Sequence, residues 1–179
     1  MTLSMYQASV PAFVQTLRAL DTILSKAAAY AEAGSFNAAV LINARLYPDM
    51  LAFTQQVQIA TDLAKGAAAR LAGVSVPSYE DTELTFPELK ERVTKTITFL
   101  STVKPEQIDG SEQRDISLTI RGHEVSYKGQ EYLLHFALPN FYFHATTAFV
   151  ILRHNGLQIG KRDFLGMTSA SWGGQRERQ

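Results

Sequence analysis

The densest cluster of groups able to do chemistry lies late in the 179-residue chain: His135, Asn140, Tyr142, His144, Thr147 and His154. Asn140 and His144 are four residues apart and Thr147 is three further on, so a helix puts them on one face. His144 stands inside FYFHATTAFVIL, an apolar setting in which an imidazole needs a partner. Two roles suit it: a metal or ligand contact, or a core histidine satisfied by a backbone group or an amide. A second stretch carries Asp49, Gln55, Gln56, Gln58 and Asp62. Asp49 and Gln56 are seven apart, two helical turns, on an inward face shared with Phe53 and Ala60; Gln58 and Asp62 fall on a solvent side. A buried Gln56 amide must be paired, with Asn140, His144, Arg45 or a backbone group as the choices. Inward polar groups are costly to bury alone, so Gln56, Asn140, His144 and Thr147 are expected to line one pocket, with Asp49 at its rim. His154 reads as a helix C-terminal residue complementing the dipole, and His123 as an exposed hairpin residue.

Composition removes other chemistries. There is no cysteine, which excludes disulfides, thiol catalysis, iron–sulfur clusters and Cys-zinc sites. Neither dinucleotide nor P-loop glycine patterns occur, nor a nucleophile elbow, nor HExxH. Lys plus Arg and Asp plus Glu are 17 each, so the net charge is zero and nucleic acid is not the expected partner. No apolar run reaches the roughly 18 residues of a membrane helix, and the N-terminus lacks the pattern of a signal peptide. The expectation is a soluble, cytoplasmic protein with no membrane partner. Glu80, Asp81 and Glu83 read as a solvated acidic loop.

The elements that must position these residues are mostly helical. Apolar residues recur at helical spacing from about Val10 to Ala33, with Ser9 as cap and Pro11 in the first turn. A short segment, Phe36 to Ala44, follows Ser35. A second long helix is expected from Pro48–Asp49 to about Ala72, ended by Gly73. Thr85-Phe86-Pro87-Glu88 is a capping box opening a third, to about Thr102. Asp115 to Ile120 and His123 to Tyr127 alternate around Arg121–Gly122 and predict a β-hairpin. The last helical region, Gln130 to Asn155, should kink or split at Pro139. The expected fold is all-α: an up-down four-helix bundle with a small hairpin inserted before the last helix, one domain over 1–166, and a disordered tail at 167–179. Phe136, Phe141, Tyr142, Phe143 and Phe149 are too dense for one inward face, which predicts a homodimer.

At PNFYFHATTAFVILRHNG (Pro139 to Gly156), GKRDFLG (Gly160 to Gly166) and RLYPDMLAFTQQVQIATDLAKGAAARLAG (Arg45 to Gly73), the chain resembles a bacterial and fungal family of unknown function. That family is placed in the DinB/YfiT-like superfamily of metal-dependent four-helix bundles. The resemblance covers about Met5 to Gly166 and implies an up-down bundle, often homodimeric. In metal-binding members, three histidines converge on a divalent ion such as zinc or nickel, one from the second helix and two, four apart, from the last. Here the last-helix pair falls on Asn140 and His144, and the second helix offers Asp49, Gln55 and Gln56 but no histidine. His144 is thus the one matched ligand. Two functions compete: a divalent-metal-dependent hydrolase or small-thiol transferase, and a bundle with an altered site that binds a small-molecule ligand.

Overall fold

The computed structural model describes residues 3–120 and 122–167 and is mostly helical. Helix α1 (Met5–Ala33) starts earlier than its apolar pattern suggests, because Ser4 and Gln7 close a capping box. Ser4 Oγ accepts from Gln7 N at 3.3 Å, and Gln7 Oε1 accepts from Ser4 N at 3.4 Å. Ser9, the expected cap, is buried inside the helix and donates to Met5 O at 2.7 Å. Pro11 lies within the helix rather than in its first turn.

One helical turn, α2 (Ala39–Ile42), precedes an irregular stretch and then α3 (Phe53–Ala72). Pro48 and Asp49 do not open this helix: they form a turn ahead of it, and Asp49 is exposed. Gln55 helps set the later start, its Oε1 accepting from Ala52 N at 3.2 Å. α3 is buried on several sides, and its alanines let neighbouring helices approach closely. It packs most extensively against the last helix and also against α4 (Phe86–Thr102), which in turn packs on α1. The α4 start is the expected box, with Glu88 Oε2 accepting from Thr85 N at 2.9 Å.

The one-turn helix α5 (Pro105–Ile108) leads into the hairpin, β1 (Asp115–Ile120) paired antiparallel with β2 (His123–Lys128). Ile116 faces Tyr127 and Leu118 faces Val125 across the ladder, as the alternation predicts. Next, α6 (Gly129–Glu131), a π-helical stretch (Tyr132–Ala137) and α7 (Leu138–His154) follow without a break. The expected interruption at Pro139 takes this form: Leu138 N bonds back to Leu133 O, one residue further than in an α-helix. The wide turn lets Pro139 enter the first turn of α7, where a missing N–H costs little. Finally α8 (Lys161–Phe164) returns to α1, tied by a Lys26–Asp163 ion pair and by Gln15 Nε2 donating to Leu165 O at 3.1 Å. The tail expected at 167–179 lies, from 168 onward, outside the described residues.

The core is shared by the four long helices, with Phe13 of α1 edge-on to Phe141 of α7 at 4.9 Å and Phe53 of α3 against Phe86 of α4 at 6.0 Å. Burying each such ring contributes roughly 1.5–3 kcal/mol. Among the described residues, no helix is long and apolar enough to cross a membrane.

Candidate functional site

α3 and α7, the most closely packed pair of helices, bring Gln56 and His144 together. Gln56 is 1% exposed, and its Oε1 lies 2.7 Å from His144 Nδ1. Its Nε2 donates to Leu51 O at 3.1 Å. That carbonyl can only accept, so the amide nitrogen must face it and the amide oxygen must face the imidazole. An amide oxygen can only accept, so His144 Nδ1 carries the proton. In the neutral ring the lone pair then sits on Nε2. Burial pushes the imidazole below its ordinary pKa, which favours that neutral form.

The other expected members behave differently. Asn140 Nδ2 donates to Phe136 O at 2.6 Å, and Thr147 Oγ1 donates to Phe143 O at 2.7 Å. Each donates to the preceding turn of its own helix, the usual local alternative for such side chains. They flank His144 along α7, and no bond joins them to the Gln56–His144 pair among the described residues. Asp49 is placed on the turn before α3, so the two-turn spacing that linked it to Gln56 does not apply. His135 is exposed in the π-helical stretch, and His123 and His154 are exposed as well.

The divalent metal implied by the resemblance does not fit these residues. Zinc and nickel favour several imidazole or thiolate donors, and amide oxygens are poor substitutes. Here one imidazole faces an amide already bonded on both sides. Among the described residues, no group of three His, Asp or Glu converges where it could hold a metal ion.

A second polar cluster gathers around Arg92, which is buried between α3 and α4; of the acidic loop, Glu80 and Asp81 are exposed as the sequence suggests, and Glu83 is largely covered. Arg92, 3% exposed, donates from Nε to Thr61 Oγ1 at 2.8 Å and from Nη1 to Glu80 O at 3.0 Å. Nη1 also reaches Glu83 Oε1 at 3.0 Å, while Nη2 pairs with Asp62 at 2.8 Å and Asp81 at 2.9 Å. Gln58, expected to face solvent, is 5% exposed and donates to Glu83 Oε2 at 2.8 Å. Burial alone would push the Glu83 carboxyl up; hydrogen bonds from Gln58 and Arg92 and the arginine charge outweigh it, and its pKa is lowered. The sequence held one signal for this cluster. Arg92 and Thr96 fall on the same α4 stripe as Leu89, Val93 and Leu100, so a cation stands on the inward face.

Residues 5–165 match the family described as "Domain of unknown function (DUF1993)". A crystal structure of a DinB family member from Shewanella denitrificans is similar to this chain, with 37% identity and a TM-score of 0.81 over 92% of this chain and 93% of that one. No curated protein matches.

Proposed function

Since the chain belongs to the DUF1993 family of DinB-like proteins, we propose that it is an up-down four-helix bundle that binds a small polar ligand at an altered form of the superfamily's metal site. His144 is the residue that meets the ligand. The observation that carries this reading is the 2.7 Å bond between Gln56 Oε1 and His144 Nδ1. A histidine that ligates a metal usually donates its other N–H to an oxygen acceptor, and Gln56 supplies that orienting bond here. What the site lacks is the remaining ligand set. A neutral, oriented imidazole without co-ligands offers one lone pair, which accepts a hydrogen bond from a ligand N–H or O–H. Among the described residues the side chain bonded to His144 is the Gln56 amide, which is neither an acid nor a nucleophile, so binding is favoured over hydrolysis or thiol transfer.

The test has two parts. Calorimetric titration with zinc and with nickel should give no saturable heat that His144→Ala removes; a stoichiometric, His144-dependent isotherm would restore the metal-dependent enzyme reading. Nitrogen-15 NMR should place the His144 proton on Nδ1, and the Nε2 resonance is then the reporter for ligand screening. A proton on Nε2 would overturn the proposed recognition.

A further inference from the structure

The 74–84 segment is a strap without regular structure, and it lies over a polar seam. Beneath it are Gln58, Thr61 and Lys65 of α3 and Arg92 and Thr96 of α4, all buried although all are polar. They are covered because the strap supplies what they lack. The seam presents donors: the Arg92 guanidinium, the Gln58 amide and the Lys65 ammonium, with Asp62 as the acid shared by Arg92 and Lys65 at 2.8 and 2.9 Å. The strap presents acceptors in sequence: Glu80 O, the Asp81 carboxylate and the Glu83 carboxylate. Its Tyr79 ring is held between Lys65 and Lys95, whose ammonium groups lie 4.7 and 4.3 Å from the ring centroid. A cleft of about 380 Å³ runs between strap residues Tyr79, Thr82 and Glu83 and α4 residues Arg92 and Lys95, so the strap is bonded to the seam without being sealed onto it. Glu88 and Glu91 stand at the rim of this cleft, and Glu88 is engaged by the amides of Leu84 and Thr85.

We propose that the α3–α4 seam is a receptor groove for an extended acidic peptide carrying an aromatic residue, and that the strap is its built-in occupant, an autoinhibitory contact. The groove's buried polar groups that face the strap, Arg92 and Gln58, donate to strap acceptors, with Asp62 the acid inside the groove, and cation–π contacts from both helix walls hold the ring. An arginine with its fork satisfied by carboxylates is the usual recognition of an acidic segment, whether that segment comes from the same chain or another. Because the strap is tethered, its effective concentration at the groove is high, and a competing peptide binds only once the strap is weakened.

The experiment uses the full chain carrying Asp81→Asn and Glu83→Gln, with Glu83→Gln alone as the milder variant should the double one fail to fold. Chymotryptic cleavage after Tyr79 reports strap lifting. It should quicken by at least about tenfold, the loss expected from weakening charge-assisted bonds, while cleavage within the helices stays at the wild-type rate. A labelled peptide of residues 76–84 should then bind the variant and not the wild type, by fluorescence anisotropy, and the same peptide with the Asn and Gln changes should fail. Two results overturn the proposal. Cleavage after Tyr79 that rises only together with cleavage inside the helices makes the strap an integral part of the fold. A lifted strap with no binding of the acidic peptide makes it a mere cover.

Discussion

A neutral imidazole at position 144 has a definite stability signature. Burial lowers the His144 pKa, so the unfolded chain binds the proton more readily than the folded one. The stabilisation is therefore fully present above the ordinary histidine value and is lost as pH falls from there through the folded value. Urea melts of the wild type should lose stability over that window, and His144→Ala should flatten this part of the profile. Gln56→Leu keeps the volume but strands the Nδ1–H and the Leu51 carbonyl, at a cost of about 1–3 kcal/mol in the same melts. The sequence places Gln56 and His144 on apolar helix faces where each needs a partner, but it leaves Asn140, Arg45 and a backbone group open beside His144; the structure uses His144 and the Leu51 carbonyl. Asn140 and Thr147 share that face but find acceptors one turn back on their own helix, a competition that face-sharing alone does not decide. Asp49 was misplaced because Pro-Asp is a good helix start on local grounds. The chain nonetheless turns there and delays α3 to Phe53.

At the level of elements, the Thr85–Glu88 capping box is legible in the sequence because Pro87 stands within it and an apolar stripe follows it directly. The Ser4–Gln7 box lies ahead of the apolar periodicity, so periodicity alone does not reveal it. The π-helical stretch was legible only as a disturbance at Pro139, since sequence spacing does not say whether a proline kinks a helix or widens the turn before it. The seam under the strap is hidden for a different reason: the loop acids Asp81 and Glu83 look merely solvated unless the buried arginine they pair with is placed on its helix. Removing that arginine is the informative substitution. Arg92→Met leaves Glu83 and its neighbours without their shared cation. It should cost toward the low end of about 3–5 kcal/mol, because Asp62 and Asp81 keep contact with water. The acid side has its own sign. Glu83 has a lowered pKa, so its ion pair stabilises above the ordinary carboxylate value and that contribution is lost as pH falls through the folded value. The stability difference between the wild type and Glu83→Gln should accordingly shrink toward zero on acidification. Close approach sets a third limit: a Cβ on Gly129 would stand 2.0 Å from Ser111 O, so Gly129→Ala should lower stability by about 1–3 kcal/mol through forced backbone movement.

At the scale of the molecule, the crowding of aromatics on the last helix is resolved within the chain only in part. Phe136 is half covered by the stacked Tyr132 and by Tyr127 of the hairpin, each at 5.7 Å, and Phe149 meets Phe164 of α8 at 5.7 Å. Phe141 is in the core. Tyr142 and Phe143 remain 38% and 56% exposed, next to the residue that carries the proposed recognition. Adjacent exposed aromatics on a helix are what an interface uses as anchors. A chain of zero net charge sets no long-range repulsion against a second copy. A two-fold contact between α7 helices would cover both rings at once, since such a contact buries the same patch on each partner. Sedimentation equilibrium at micromolar concentration should therefore return a particle of about twice the 19.8 kDa chain mass. Phe143→Glu should shift it to the single-chain mass with an unchanged helical circular dichroism spectrum, because that ring leaves the fold's own core intact. A wild-type particle of single-chain mass would leave Tyr142 and Phe143 exposed in solution and overturn the dimer.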